Sequence, residues 1–313
     1  MNFWNRRLFI VALVATTLAG CGAEGGRTFM SLGTAGTGGI YYPLGGALAS
    51  RLSIADEGRQ YTAEVSGGSV ENINRLSNGE MDLAMVLGVT AYQAQAGGGD
   101  WETPVSGLRV LAPLYANLTH VMVGADSEAE SIGDLAGMRI SVGPPGSGTE
   151  QIARHLLAAY GLSYETVDPQ YLSFNESSSA LRDGAIDAAL ISVGYPAAAV
   201  LEATTTAGVR LLPIEREVIE SMQAEHPYYT VAEIPAGAYP GMDEPISTAA
   251  VENWIVAMES LDDDVVTTLL NILADDRVSL EQVHDMAKQI DLVRLADAPI
   301  PLHAAVTAWQ TSR

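Results

Sequence analysis

Short apolar runs and longer stretches of helical periodicity alternate along this chain, and they do so twice in the same order. TFMSLG (28–33) is a strand-length run that ends in the glycine-rich loop GTAGTGGIYYPLGG, after which Leu44, Leu48 and Leu52 recur at the spacing of one helix face. MRISVG (138–143) meets the loop PPGSGTE in the same way. The following QIARHLLAAYG places Ile152, Leu156 and Leu157 on one face, and Gly161 supplies a helix stop. Each unit is followed by a polar segment, a second helix and a second strand, SVENINRLSNGEMDLAMVLG in one case and NESSSALRDGAIDAALISVG in the other. Gly79-Glu80-Met81-Asp82 matches Gly184-Ala185-Ile186-Asp187, and Asp82 lies 49 residues beyond Gly33 where Asp187 lies 44 beyond Gly143. The pattern predicts an α/β unit duplicated within one chain.

The apolar run LYANLTHVMVGADS (114–127) would carry the chain from the first unit into the second. HPYYTVAEIPAGAYPGMDEP (226–245), dense in Pro, Gly and Tyr, would bring it back, and two crossings make a hinge. STAAVENWIVAMES then reads as a strand, DVVTTLLNILADD as a helix capped by Asp262 or Asp263, VSLEQVHDMAKQI as a second helix and PLHAAVTAWQ as a short third. The expected organisation is a first lobe of residues 28–118 with 232–313 and a second of 119–231. Open α/β sheets bind ligands beyond the carboxyl ends of their strands, so both glycine-rich loops should line one cleft.

The first residues change where such a protein would work. MNFWNRR, with Arg6 and Arg7, precedes the uncharged stretch Leu8–Ala19, and Leu18-Ala19-Gly20-Cys21 matches the bacterial lipoprotein cleavage box. An apolar run of about a dozen residues falls short of the roughly 20 that span a bilayer. Residues 1–20 are therefore expected to be an export signal, Cys21 the lipid-bearing first residue of a periplasmic protein, and 21–27 a tether. Asn5–Phe9 also partly matches a twin-arginine signal, which leaves the export route open. Cys21 is the only cysteine, so no internal disulfide supports the fold. Removing 1–20 leaves 293 residues, enough for two lobes, and takes the net charge from −22 to about −24. That charge argues against nucleic acid or an anionic lipid surface as a partner.

Glycine-rich turns that open a helix usually cradle phosphate, so the chemistry of the loops needs testing. From Gly33 the fifth residue on is Gly38, but Gly39 and Ile40 stand where a Walker loop needs Lys and Ser or Thr. The dinucleotide fingerprint begun by Gly36-Thr37-Gly38 fails at Tyr41, which should be small. Gly-x-Ser-x-Gly is absent, and His120, His155, His226, His284 and His303 show no metal-binding spacing. Asp262-Asp263-Asp264 lacks the spacing of a calcium loop. No metal or cofactor is expected, and an exported enzyme using Ser147, or Glu150 with Asp187, has no base partner in the sequence. What remains is a small anion held by backbone N–H groups and hydroxyls: Thr37, Gly38 and Gly39 before one helix, Ser147, Gly148 and Thr149 before the other.

GTAGTGGIYYPLGGALA, SGGSVENINRL, GEMDLAMV, DLAGMRISVGPPGSGTE, LRDGAIDAAL, GYPAAAV, IPAGAYPG and PLHAAV together resemble the TAXI-type solute receptors of tripartite ATP-independent periplasmic (TRAP) transporters, from about Thr28 to the C-terminus. The resemblance implies a two-lobed periplasmic binding protein fold of type II-like character, which delivers an organic acid or amino acid to an ion-gradient-driven permease; a monomer is expected. It implies Thr37, Gly38, Gly39 and Tyr41 in the first wall with Ser69 nearby, Ser147, Gly148 and Thr149 in the second, and Tyr195 closing from the side. One departure bears on the ligand. Where many relatives read Gln-Ser-Asp, this chain reads Leu87-Gly88-Val89, which removes a carboxylate that could meet an α-ammonium group. A C4 or C5 dicarboxylate or keto acid is then expected, with glutamate-type amino acids, or a sensor role beside a membrane kinase, as the alternatives.

Overall fold

The computed structural model describes residues 27–313; the export signal, Cys21 and residues 21–26 of the tether lie outside the described residues. The first duplicated unit forms β1 (Thr28–Gly33), α1 (Tyr41–Ala55), β2 (Arg59–Glu64), α2 (Ser69–Ser77), β3 (Leu83–Leu87) and α3 (Gly88–Ala96). The long strand β4 (Leu108–Gly124) leads to the second, with β5 (Arg139–Ser141), α4 (Gly148–Ala159), β6 (Asp168–Gln170), α5 (Phe174–Arg182), β7 (Ala188–Val193) and α6 (Ala198–Thr206). β8 (Val209–Leu212), α7 (Arg216–Glu225), β9 (Thr230–Ile234) and β10 (Ile246–Met258) follow, and α8 (Asp263–Asp275), α9 (Arg277–Glu281) and α10 (Ala304–Ser312) close the chain.

The duplication holds at the level of hydrogen bonds. In the first lobe β2, β1 and β3 are parallel, β10 is antiparallel to β3, and the first part of β4 pairs with β10. In the second lobe β6, β5 and β7 are parallel, the second part of β4 is antiparallel to β7, and β8 pairs with β4. Each lobe thus has the same strand order, with its fourth position filled by a strand that also belongs to the other lobe. The repeated Gly-x-x-Asp has a structural role in both. Gly79 and Gly184 adopt left-handed φ of 72° and 65° to end α2 and α5. Three residues on, Asp82 accepts the Ser31 N–H at 2.7 Å and Asp187 accepts the Arg139 N–H at 2.8 Å, tying β1 and β5 to the strand that follows.

Several expectations are corrected. β10 pairs with β9 as far as Ala250 and with β4 from Ala250 onward, so a continuous strand carries the chain back, later than the segment 226–245. Asp262 stands at the N-cap of α8, but its carboxylate accepts from Arg59 at 2.7 Å and caps nothing. The expected helix over VSLEQVHDMAKQI breaks into α9 and a 3₁₀ turn over 285–289, because His284 is extended and its Nδ1 accepts the Met286 N–H at 3.1 Å.

Two apolar clusters fill the interior. One takes in the first lobe and continues onto one face of the second lobe's sheet through Ile191, Val200 and Ala203. The other packs α4 and α7 against the opposite face through Ile140, Leu156 and Ile219.

Candidate ligand-binding cleft

Four helices begin around one narrow cavity between the lobes. Its wall includes Gly39, Ile40 and Tyr41 at the start of α1, Gly68 and Ser69 at the start of α2, Leu87 just before α3, and Ser147, Gly148 and Thr149 at the start of α4. Ala35 and Gly67, Tyr115 and Asn117 of β4, Ser192 and Val193 of β7, and Phe174 complete it, around a cavity of about 40 Å³. The first turns of α1, α3 and α4 leave amides for a ligand, whereas those of Val70 and Glu71 in α2 are taken by the Gly146 carbonyl. Pro43 in the first turn of α1 has no N–H to lose, and no side chain caps α1, α2 or α3. Ser147 Oγ caps α4 by accepting from the Glu150 N–H at 3.1 Å.

No Arg, Lys, His, Asp or Glu lines the cavity. Its polar groups are hydroxyls, an amide and helix N-termini, and each such end favours a negative charge by about 0.3–1 kcal/mol when exposed and up to ~2 kcal/mol when partly buried. Burial holds the phenols of Tyr41 and Tyr115 well above their ordinary value, so both stay protonated and able to donate. A buried polar node fixes the wall behind them. Asn253 of β10 accepts from the Tyr41 hydroxyl, and its Nδ2 donates to the Tyr115 carbonyl at 2.7 Å and to Asn117 Oδ1 at 2.8 Å. Asn117 Nδ2 in turn donates to the Ser192 carbonyl at 2.9 Å.

Of the residues expected from sequence, Gly39, Tyr41, Ser69, Ser147, Gly148 and Thr149 come together in this wall. Thr37 and Gly38 do not line it. Their loop reaches across to the second lobe, where Thr37 Oγ1 accepts from Asn175 Nδ2 at 3.3 Å and the Gly38 carbonyl accepts the Ala199 N–H at 3.2 Å. Tyr195 packs half-buried against the larger apolar cluster and is also outside the wall. Leu87 and Val89 both lie in the second apolar cluster, and of Leu87-Gly88-Val89 it is Leu87 that lines the cavity. Tyr115, Asn117, Phe174 and Ser192 were missed. Asn117 carried a signal, as an amide inside an apolar strand run.

The lobes meet tightly beside the cavity. The Gly146 carbonyl accepts from the N–H groups of Val70 at 3.1 Å and Glu71 at 3.0 Å, so the second lobe's loop caps α2 of the first. Thr90 Oγ1 donates to Gln151 Oε1 at 2.7 Å, and Gln151 Nε2 donates to Asp100 at 2.6 Å. Neither acidic residue proposed for catalysis is free: Glu150 is held by Arg154 at 2.6 Å and Asp187 by Arg139 at 2.7 Å.

Residues 32–309 match the NMT1-like family. Among solved structures, PhnD1 from Prochlorococcus marinus, in complex with methylphosphonate, is 14% identical with a TM-score of 0.55, covering 83% of this chain and 90% of that one. A protein from Bordetella bronchiseptica RB50 is 18% identical with a TM-score of 0.54, covering 91% and 81%. An ancestral arginine-binding protein, bound to arginine, is 16% identical with a TM-score of 0.51, covering 83% and 97%. These likenesses establish the two-lobed α/β fold.

Proposed function

The chain belongs to the NMT1-like family, and from that footing we propose that it is a periplasmic solute-binding protein that captures a small organic acid between its lobes. A C4 or C5 dicarboxylate or a keto acid is the favoured ligand. The observation that carries this reading is a cavity walled by four helix starts and neutral donors, with no charged side chain. Such a wall favours a carboxylate and offers no carboxylate partner to an α-ammonium group, which places glutamate and glutamine second. Delivery to an ion-gradient-driven TRAP permease rests on the TAXI-type sequence motifs, and attachment to the membrane on Cys21.

Methylphosphonate and arginine, each bound by a protein of this fold, differ in charge, so the fold leaves the ligand to the wall. The same donors suit a phosphonate oxyanion, which makes methylphosphonate a third candidate, after the amino acids. A thermal-shift and calorimetric panel of 2-oxoglutarate, succinate, fumarate, glutamate, glutamine and methylphosphonate tests the choice. Binding is expected among the first three; tight binding of glutamate or glutamine with no response to those acids overturns the reading.

A further inference from the structure

Two hydroxyls of the cavity wall stand apart from the bonded polar groups around them. Tyr115 Oη on β4 and Ser192 Oγ on β7 are buried and have no hydrogen-bond partner among the described residues. Their neighbours Tyr41, Asn117 and Asn253 are all engaged. Tyr115 is fully buried and Ser192 is 4% exposed, so neither hydroxyl faces bulk solvent, and both belong to residues of the cavity wall. Unpaired buried donors destabilise a fold, and where they line a cavity they point to a ligand. Both sit on adjacent antiparallel strands, held by the Asn117 bond to the Ser192 carbonyl and the Asn253 bond to the Tyr115 carbonyl. They are therefore positioned by the sheet, whereas the helix starts sit at the ends of loops.

We propose that Tyr115 and Ser192 form a second anchor, donating to a second acceptor of the ligand while the helix starts hold its first carboxylate. The inference rests on the acid reading above and narrows it to bifunctional acids, in which a distal carboxylate or keto oxygen completes the two orphan donors. Monofunctional acids of the same length engage the helix starts and leave both hydroxyls unpaired.

Calorimetry of the unaltered protein, Tyr115→Phe and Ser192→Ala with 2-oxoglutarate, succinate and butyrate tests this, with the melting temperature of each ligand-free protein alongside. The expected result is a loss of roughly 10- to 100-fold for the two bifunctional acids, little change for butyrate, and ligand-free Tyr115→Phe melting no lower than the unaltered protein. Unchanged affinity for the bifunctional acids overturns the second anchor while leaving the acid reading standing. Equal losses for butyrate, or a lower melting point in ligand-free Tyr115→Phe, assign the hydroxyls to the fold and overturn it too. If the unaltered protein binds none of these acids, the acid reading fails and the anchor with it.

Discussion

Asn253 ties together three residues at the back of the cavity wall. It is fully buried and joins Tyr41, Tyr115 and Asn117, so Asn253→Leu leaves three partners unsatisfied. The expected loss is about 2–4 kcal/mol, read from urea unfolding. His120 on β4 sets a pH dependence. Its Nδ1 lies 2.9 Å from the Leu118 carbonyl and its Nε2 3.0 Å from the Tyr239 hydroxyl, and burial lowers its pKa to about 4. The folded value lies below the ordinary 6.5, so the unfolded chain binds the proton first as pH falls. Stability from this group is complete above pH ~6.5 and is lost progressively toward pH ~4, on the order of 3 kcal/mol in all. His120→Gln removes that part of the slope, which urea midpoints between pH 7 and pH 4.5 would reveal. Neither role could be read from sequence. The Asn253 partners Tyr115 and Asn117 lie 138 and 136 residues away, and no local pattern announces which strands become neighbours.

At the scale of elements, the sequence was more legible. Glycine-rich turns opening apolar-faced helices placed α1 and α4, and the repeated Gly-x-x-Asp marked the duplication, because helix periodicity and left-handed glycines are local signals. Helix starts contributed by α2 and α3 were less visible, since what brings them to the cavity is the parallel order of β1, β2 and β3. Loop contacts between the lobes follow from the same geometry. A Cβ at Gly67 would overlap the Pro145 carbonyl oxygen across the lobe boundary, and it would lie 3.0 Å from Glu71 Oε2 within its own lobe. Gly67→Ala is expected to keep both lobes folded, with an unfolding midpoint close to the parent's. It should weaken ligand binding by about tenfold or more by holding the lobes apart. Hydrogen exchange offers a direct reading, since Val70 and Glu71 should lose protection in this variant as the Gly146 carbonyl withdraws.

For the whole molecule, β4 and β10 are the connections on which the lobes would turn, with Leu118 and Ala250 at the changes of partner. Ligand binding is expected to compact the protein in small-angle scattering; an unchanged radius of gyration at saturation would remove closure from the proposed mechanism. The shared strands also bear on how the chain assembles as it emerges. Apart from β10's pairing with β9, the second lobe's strands all lie between residues 108 and 212, so its sheet can form from one contiguous stretch. The first lobe cannot, because β3, buried along its whole length, waits for residues 253–256 to fill the place beside it. Closing that long loop is entropically slow. In pulse-labelled exchange during refolding, amides of β5 and β7 should gain protection before those of β3, so the middle of the chain sets first and its two ends are joined last.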